Sequence, residues 1–381
     1  MRTVPAAILA ASLVVGCRSP GTSGGNPDAR AALAAAQATP DAGSDATDDV
    51  AADADGPRTL VEIAAGGRHA CGRSAEGDVF CWGANGSGQL GGAVATALRQ
   101  MPSPRRVPGL THVVSLASQG DATCAVRDDG SLWCWGVEEL GAFGVGSKRT
   151  WDKPTRIAGV AGARQVSLGP GVGIVSTEGA VLEWGLNPAP PGAHRAGDDP
   201  WTPWVVPGIP NVKRVAVSLG AACAVLEGGT LVCWGALGVP GPASASPTPV
   251  RGITNAVDVQ VSTRGGCVLR ADGTVTCWGD NDVGQLGLPN RLPVKGLVRA
   301  HVSDAALLRG GNGDACVVNR GGALLCWGAH TGGGDGPFQM TAIVGTASVG
   351  IGSEEICAST SAAELWCAAY DRWASPRRVA W

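Results

Sequence analysis

Cys124-Ala125-Val126-Arg127-Asp128-Asp129-Gly130-Ser131-Leu132-Trp133-Cys134-Trp135-Gly136 is the stretch that decides the fold. Two short, largely apolar runs flank Asp128-Asp129-Gly130, and this pattern predicts two antiparallel strands joined by a tight turn. A three-residue loop that ends in Gly is typical of a type I turn followed by a left-handed residue, where Gly has no Cβ to clash. The stretch therefore predicts a β-hairpin that ends in Trp-Gly.

The same hairpin recurs along the chain with a spacing that fits one propeller blade. Trp-Gly occurs at residues 82–83, 135–136, 184–185, 234–235, 278–279 and 327–328, and Ala368-Ala369 is a worn seventh copy. The corresponding turns lie at residues 75–77, 128–130, 177–179, 227–229, 271–273, 320–322 and, without glycine, at 361–363. The copies are 41 to 53 residues apart, which is the length of a four-stranded blade rather than of a helical repeat.

A Pro-led segment follows each hairpin and predicts a further strand, because Pro is tolerated where a strand begins. These segments are Pro104–Val107, Pro154–Ile157, Pro203–Val206, Pro247–Val250, Pro293–Val294, Pro337–Ile343 and, at the chain end, Ser375–Val379. No such segment precedes the first hairpin, which begins near Leu60. We therefore predict an all-β fold, a seven-bladed β-propeller over residues 58–381 that is closed by the C-terminal strand joining the first blade.

Two of the copies resemble the signature of the regulator-of-chromosome-condensation (RCC) repeat family. Residues 81–91 read Cys-Trp-Gly-Ala-Asn-Gly-Ser-Gly-Gln-Leu-Gly, and residues 278–287 read Trp-Gly-Asp-Asn-Asp-Val-Gly-Gln-Leu-Gly. The resemblance covers residues 58–381 and implies a seven-bladed propeller. Copies two, three, four and six lack the Gln-Leu-Gly tail, which leaves their outer loops free to differ.

The N-terminus is typical of an exported bacterial lipoprotein. Arg2 gives a positive start, and Val4–Gly16 is an apolar stretch too short to span a bilayer. Val14-Val15-Gly16-Cys17 resembles the lipobox, which implies a signal peptide at residues 1–16 and lipidation of Cys17. The alternative is an ordinary signal peptide with an incidental Cys. Arg18 is not the Asp that retains lipoproteins at the inner membrane of enteric bacteria, so we expect an outer-membrane protein, at the cell surface or facing the periplasm.

The residues after Cys17 predict a disordered linker that extends to residue 57. They are rich in Ala, Asp, Gly and Ser and show no apolar period. Residues 18–57 hold two Arg against seven Asp, a net charge of −5, whereas residues 58–381 sum to +1. A nearly neutral body gives no electrostatic basis for binding nucleic acid, which normally needs a basic face.

The other twelve cysteines form six pairs whose members are ten residues apart. They are Cys71 and Cys81, Cys124 and Cys134, Cys223 and Cys233, Cys267 and Cys277, Cys316 and Cys326, and Cys357 and Cys367. The third copy has Gly173 and Glu183 where its pair is expected. Across a three-residue turn the two cysteines of each pair face each other on neighbouring strands. This arrangement predicts six intrablade disulfides and an oxidising compartment. Buried free thiols are the alternative, and zinc sites fit the spacing less well.

Residues that could carry catalysis are few. The five His, at positions 69, 112, 194, 301 and 330, occupy different repeat positions and read as surface or loop residues. Asp280-Asn281-Asp282 with Gln285 resembles the opening of a calcium loop, but residues 84–86 of copy one have no carboxylate, which favours a turn. Arg105-Arg106 and Arg377-Arg378 form either a small anion-attracting patch or solvated strand-edge charge. We therefore predict no enzymatic activity, no metal and no cofactor.

These features together predict a binding protein. We expect a monomeric, membrane-tethered extracytoplasmic scaffold, attached through its lipid only, that presents loops to a protein or glycan partner. The loops are Ala93–Met101, Val137–Lys153, Asn187–Trp204 and His330–Phe338, and His194, Arg195, Trp201 and Trp204 are the candidate partner-binding residues. Both Trp could instead pack between blades. The alternative function is an enzyme inhibitor or a lyase with its site at the central channel; guanine-nucleotide exchange, the activity of eukaryotic relatives, is disfavoured by export and disulfides.

Overall fold

The computed structural model describes residues 56–92, 98–138, 141–145, 149–186, 201–236, 244–311, 313–330, 336–370, 373 and 375–381. The predicted signal peptide, Cys17 and almost all of the predicted linker lie outside the described residues. The regular elements in the described part of the chain are all β-strands, and no helix in it could span a membrane.

The described strands form seven antiparallel sheets of four, each built from four strands that are consecutive in the chain. The first strand of each sheet is β1 (Leu60–Ala65), β5 (Val113–Gln119), β9 (Ala163–Gly169), β13 (Val212–Ser218), β17 (Ala256–Ser262), β21 (Ala305–Gly311) or β25 (Thr346–Ile351). The second is β2 (His69–Ser74), β6 (Ala122–Arg127), β10 (Val172–Thr177), β14 (Ala221–Leu226), β18 (Gly265–Arg270), β22 (Asp314–Asn319) or β26 (Glu355–Thr360).

The third and fourth strands complete each sheet on its outer side. The third is β3 (Val79–Ala84), β7 (Leu132–Glu138), β11 (Val181–Gly185), β15 (Leu231–Gly235), β19 (Val275–Gly279), β23 (Leu324–Gly328) or β27 (Leu365–Ala369). The fourth is β4 (Gln100–Arg106), β8 (Arg149–Arg156), β12 (Trp204–Val206), β16 (Ser244–Pro249), β20 (Val298–Arg299), β24 (Phe338–Gln339) or β28 (Arg377–Val379). The predicted Pro-led strands are therefore present, except that the fifth lies at Val298–Arg299 rather than at Pro293–Val294.

The seven sheets are the blades of a propeller, and their first strands line its central channel. Each first strand contacts the first strand of the next blade, and β25 contacts β1, so the ring is closed. Seven clusters of buried apolar side chains fill the seven interfaces between neighbouring blades. The prediction of a seven-bladed all-β propeller is confirmed.

The predicted mode of ring closure was wrong. The C-terminal strand β28 pairs with β27 of the seventh blade, through Leu365 opposite Val379, and does not join the first blade. The first strand of each blade precedes the hairpin and carries no turn or Pro signal of its own, so the predicted blade boundary lay one strand away from the observed one. Blades seven and one are held instead by packing around Leu60 and Ile63 and by side-chain hydrogen bonds. Ser359 Oγ donates to Leu60 O at 2.5 Å, and Ile63 N donates to Ser348 Oγ at 3.1 Å.

The hairpin turn between the second and third strands follows the predicted chemistry in most blades. In blade two, Arg127 N donates to Ser131 O and Gly130 N to Arg127 O, and Gly130 has a φ of 75°. In blade seven Ala363 takes the same left-handed conformation, with a φ of 59°, at a cost that Gly avoids. We call the side of the ring that carries these turns the hairpin face.

Six disulfides join the second and third strands within the blades that carry paired cysteines. The bonded residues lie directly opposite each other in the ladder, as Cys124 does Cys134, with Cα atoms 4.0 to 4.1 Å apart. Because all twelve sulfurs are bonded, none is a free thiol or a thiolate ligand for zinc. The disulfides indicate an oxidising compartment.

Blade three departs from the sequence prediction because its hairpin is one residue shorter. Thr177 N donates to Ala180 O at 2.8 Å, and Ser176 pairs with Val181, whereas Val126 pairs with Leu132 in blade two. The residues opposite each other at the disulfide position are therefore Ile174 and Glu183. The expected partner Gly173 was wrong by one residue, and it lies opposite Trp184.

Candidate functional site

Trp-Gly marks the end of the third strand, where the loops of the opposite face begin; we call that side the loop face. The Gly of each Trp-Gly has a positive φ, for example 92° at Gly136, and a Cβ there would overlap the carbonyl oxygen of Asp121. Only Gly fits this close approach without strain. The chain can then turn outward into the loop that leads to the fourth strand.

The loop that follows Trp-Gly supports the Trp of the next blade. Trp135 Nε1 donates to Gln89 O at 2.9 Å, and Trp327 Nε1 donates to Gln285 O at 3.0 Å. Trp184 Nε1 donates to Ala142 O at 2.7 Å, so residues 141–144 of blade two take the place of a Gln-Leu-Gly tail despite their different sequence. The loops are therefore part of the packing between blades as well as part of the surface.

Blade three supplies a carboxylate in place of such a loop. Glu183 is fully buried, and its Oε2 accepts a hydrogen bond of 2.7 Å from Trp234 Nε1 of blade four. A buried carboxylate needs donors to offset its desolvation, and an indole N–H is a suitable one. Glu183, which occupies a position where a disulfide partner was expected, therefore links blades three and four.

The candidate partner-binding residues are only partly described. His194 and Arg195 lie outside the described residues, as do residues 93–97, 139–140, 146–148 and 331–335 of the other candidate loops. Trp204 lies in β12 and is 3% exposed, packed against Val172, Ile174 and Trp234 in the core. The prediction that Trp204 contacts a partner was therefore wrong, since its apolar surface is already covered by neighbouring strands. Trp201 is half-buried, and its ring lies over Gly141, where it leaves no room for a Cβ.

The loop that resembles the opening of a calcium site uses its polar side chains internally. Asn281 donates from Nδ2 to Asn290 O and Leu292 O, and its Oδ1 accepts from Leu286 N. Gln285 Nε2 donates to Asp282 Oδ1 at 2.9 Å. Asn85 in blade one accepts from Leu90 N in the same way, which agrees with a turn in both copies.

The four described His differ in their surroundings. His112 and His301 are exposed, as predicted. His69 is fully buried and its Nε2 lies 2.7 Å from Thr123 Oγ1, so the prediction of a surface or loop position was wrong for it. Burial lowers the pKa of His69 from 6.5 to about 4, and the negative charge of Asp121 opposes this shift.

His330 belongs to a polar and aromatic cluster on the loop face that the sequence did not predict. Its Nδ1 lies 2.6 Å from Oδ2 of Asp314, which is buried, and its ring stacks on Tyr370 with centroids 3.8 Å apart. Burial raises the pKa of Asp314, although its hydrogen bond to His330 lowers it. Tyr370 in turn contacts Trp373 and donates from its hydroxyl to Gly352 O. The cluster joins blades six and seven.

The two basic pairs make local contacts rather than one patch. Arg106 lies 2.6 Å from Asp78, and Arg378 lies 3.2 Å from Glu364, each on its own blade. Arg378 and Glu364 form a partly exposed pair at a strand edge, and such pairs stabilise a protein by only about 0–1 kcal/mol, whereas the side chain of Asp78 is only 17% exposed. They agree with the second of the two interpretations.

The central channel encloses a cavity of about 410 Å³. Its walls carry side-chain hydrogen bonds that join the first strand of one blade to that of the next. Leu116 N donates to Glu62 Oε2 at 3.3 Å, Val166 N to Ser115 Oγ at 3.3 Å and Val215 N to Gln165 Oε1 at 2.9 Å. These bonds, with that from Ile63 N to Ser348 Oγ, take the place of a ladder between blades.

The ionisable groups of the channel wall do not form a catalytic constellation among the described residues. Glu62 pairs with Arg73 at 2.7 Å, and Asp258 pairs with Arg309 at 3.1 Å. The described lining contains no His. A lyase would need carboxylates or His that converge on a substrate, and both carboxylates here already have a cationic partner.

Comparison with known proteins finds the same repeat and the same architecture. The family model "Regulator of chromosome condensation (RCC1) repeat" matches residues 60–89, 76–126 and 257–285. The chain is 30% identical over 185 residues to the E3 ubiquitin-protein ligase HERC2 of Homo sapiens, covering 46% of this chain and 4% of that protein. It is 31% identical to the ultraviolet-B receptor UVR8 of Arabidopsis thaliana, covering 47% of this chain and 42% of the receptor. The match thus spans less than half the length of each of these relatives.

Two solved structures share the fold. Prp20p of Saccharomyces cerevisiae, described with its binding to Gsp1p and histones, superposes with a TM-score of 0.65 at 19% identity, covering 81% of this chain and 87% of Prp20p. Human WBSCR16 superposes with a TM-score of 0.65 at 18% identity, covering 80% of this chain and 94% of that protein. At these identities the likeness shows the propeller fold alone.

Proposed function

Because parts of this chain match the regulator of chromosome condensation (RCC1) repeat and its fold is a closed propeller, we propose that it is a binding scaffold, tethered to a membrane outside the cytosol through Cys17. The scaffold presents its loop face to a protein or glycan partner. Its disulfides suit an oxidising compartment, and its fold is shared with Prp20p, which binds proteins.

The observation that carries the proposal is the side of the ring from which the tether leaves. Arg58, at the start of the described chain, lies 3.9 Å from Asp78 beside the first hairpin turn and over the ring of Phe80. The linker is therefore attached at the hairpin face. A tether that joins the ring at that face leaves the loop face, with the His330 cluster, free of the attachment.

Membrane attachment is tested by replacing Cys17. We expect the wild-type protein in the membrane fraction of the cells that make it, and the Cys17→Ser variant in the soluble extracytoplasmic fraction, because one thioether-linked diacylglycerol supplies most of the membrane affinity. Recovery of both proteins in the same fraction would contradict the tether. Equal amounts of full-length protein in both cultures serve as the control for export and folding.

Binding at the loop face is tested by crosslinking on intact cells, followed by purification and mass spectrometry. Replacement of residues 187–200 by a Gly/Ser segment of the same length removes His194 and Arg195, and we expect it to abolish recovery of the partner. Glu76→Gln and Asp272→Asn together change the hairpin face and should leave recovery unchanged. Turnover of a small substrate, without any partner, would favour the alternative, a lyase with its site at the central channel.

A further inference from the structure

Three cations lie at the mouth of the central channel on the hairpin face. Arg164 of blade three and Lys213 and Arg214 of blade four occupy the starts of neighbouring first strands. Gln165 exchanges hydrogen bonds of 2.9 and 3.1 Å with the backbone of Val215, which fixes these two strands side by side. Arg164 and Arg214 line the channel at this point, and Lys213 precedes Arg214 on the strand with an exposed side chain.

Arg214 occupies a position that joins blades elsewhere in the ring. The corresponding residues Ser348, Glu62, Ser115 and Gln165 each accept the backbone N–H of the next blade. A guanidinium cannot accept a hydrogen bond, and Val259 N donates instead to its neighbour Asp258 at 2.9 Å. Arg214 therefore does not accept a backbone N–H from the next blade, as the residue at this position does in four other blades.

The charge of Arg214 is not neutralised by the described part of the chain. It is exposed, and its hydrogen bond is a long one of 3.5 Å to Lys213 O. Lys213 is also exposed, and no described carboxylate pairs with either cation. Arg164 pairs with Glu178, but their side chains are 57% and 76% exposed, so this ion pair contributes little and a ligand can displace it.

The remaining ionic groups of the channel wall compensate one another. Arg73 pairs with Glu62, and Arg309 pairs with Asp258. The positive charge at the mouth is therefore concentrated on the side of blades three and four. Since residues 58–381 carry a net charge of only +1, this concentration is local and not a consequence of a basic protein.

We propose that Arg164, Lys213 and Arg214 form a binding site for the carboxylates of an aspartate- or glutamate-rich peptide segment, which approaches the channel mouth from the hairpin face. Guanidinium groups pair with carboxylates through two parallel hydrogen bonds, and the ammonium group adds a third charge-assisted donor. The site is separate from the loop face, so it goes beyond the partner already proposed and does not depend on it.

The backbone around the site favours carboxylates over phosphate. Phosphate sites usually add several free backbone N–H groups to the cations. Here Val166 N, Val215 N and Val259 N each donate to a side chain already. The site therefore offers side-chain cations, and carboxylates spaced along a peptide can meet them one by one.

An acidic segment of this composition is present in the chain itself. Residues 41–55 contain six Asp and no basic residue, and they precede Arg58, which lies on the same face as the channel mouth. The same chemistry could equally come from an acidic segment of another protein. A covalently linked segment competes at an effective concentration in the millimolar range, and this difference separates the two sources experimentally.

The test measures binding of a fluorescent synthetic peptide with the sequence of residues 41–55, by anisotropy at low salt. Two proteins are compared, the full chain carrying Cys17→Ser and the propeller of residues 56–381, in which all four strands of every blade are present. The variant Arg164→Gln/Lys213→Gln/Arg214→Gln removes the site. The control Arg99→Gln/Arg291→Gln/Lys295→Gln removes three positive charges from exposed positions outside it. Near-identical melting temperatures establish that all variants fold.

We expect the wild-type propeller to bind the peptide, and the mouth variant to bind it at least tenfold more weakly, with the control variant within about twofold of wild type. The same peptide with Asn in place of Asp should not bind, and sodium chloride should weaken binding. No binding by the wild-type propeller would overturn the proposal, as would equal losses in the mouth and control variants.

The full chain identifies the source of the carboxylates. Weaker binding of the added peptide to the full chain than to the propeller shows that residues 41–55 already occupy the site. Equal binding shows that the site is open to an acidic segment of another protein. A loss of loop-face recovery in the mouth variant is not expected, so failure of this site and failure of the proposed scaffold function are distinguishable.

Discussion

His69 makes the stability of the first blade depend on pH in a way that can be calculated. It lies on β2 at the interface with blade two, fully buried against Thr123. Its pKa is lowered from 6.5 to about 4, chiefly because burial disfavours the charged imidazolium. The unfolded chain keeps the ordinary pKa, so between these two pH values the unfolded state binds more protons than the folded state.

The sign and size of the effect follow from this difference. The contribution of His69 is fully retained above pH 6.5 and is lost as the pH falls towards 4. The difference between the pKa of 6.5 and the pKa of about 4 corresponds to about 3.4 kcal/mol in total, of which about 2.5 kcal/mol is lost between about pH 7.5 and about pH 4.5. Asp314 and Glu355 have pKa values raised by burial and act in the opposite direction. The comparison must therefore be made between variants.

The assay is urea denaturation of wild type, His69→Gln and the control His301→Gln at both pH values. Wild type and His301→Gln, whose substituted side chain is exposed, should lose about 2.5 kcal/mol more than His69→Gln on acidification. His69→Gln is expected to be less stable than wild type at neutral pH, but only the change in its free energy of unfolding between the two pH values is diagnostic. An identical loss in His69→Gln and wild type would refute the reasoning, because it would mean that His69 is not a buried neutral group.

Three further predictions concern the packing of the ring. Cys124→Ala/Cys134→Ala should lower the free energy of unfolding by about 2.5–3 kcal/mol, since each disulfide closes a short loop with a sequence separation of 10; chemical denaturation measures it, and an unchanged stability would mean that the bond is not formed. Trp204→Ala should cost about 3–5 kcal/mol because its ring is buried in the core; loss of partner recovery at unchanged stability would show instead that Trp204 is a contact residue. Glu183→Leu should cost about 1–3 kcal/mol by leaving Trp234 Nε1 without its acceptor, whereas Glu183→Gln keeps an acceptor and should cost less; equal losses would argue against the hydrogen bond.

The number of blades and the positions of the hairpins could be predicted because each copy carries strong local signals. Asp128-Asp129-Gly130 fixes the turn in blade two, and Trp135-Gly136 lies in the last part of its third strand, which extends to Glu138. The cysteines strengthen the prediction, because their constant spacing places the two members of each pair opposite each other in the ladder. These signals depend on residues close together in the sequence.

The mode of closure could not be predicted from the same signals. Leu60–Ala65 is a short apolar strand without a turn motif of its own, so nothing local shows that it opens blade one rather than following a missing strand. Its place is set by packing against Ser348 and Ser359, almost 300 residues away. The shorter hairpin of blade three could not be predicted either, because Thr177-Glu178-Gly179 has the same sequence pattern as the three-residue turns of the other blades.

The site residues divide along the same line. The signal and lipid attachment at Cys17 stay predictions. The prediction for Trp204 was wrong because tryptophan near prolines occurs both in core strands and in interfaces, so the residue types alone do not distinguish the two. The cations Arg164, Lys213 and Arg214 had no signal of their own, since only the register of the first strands brings them to one mouth.

The central claim is that the protein is a ring of RCC1-type blades that is stabilised by disulfides and tethered outside the cytosol. The most direct test is to determine whether each of the thirteen cysteines is disulfide-bonded, free or lipid-modified in protein purified from its own cells. Free thiols are alkylated at lysis, and the peptides are then mapped by mass spectrometry without reduction. We predict six linked pairs, each joining cysteines ten residues apart, and a lipid-modified Cys17 at the mature N-terminus. Alkylated cysteines in the blades, or links between different blades, would contradict the account.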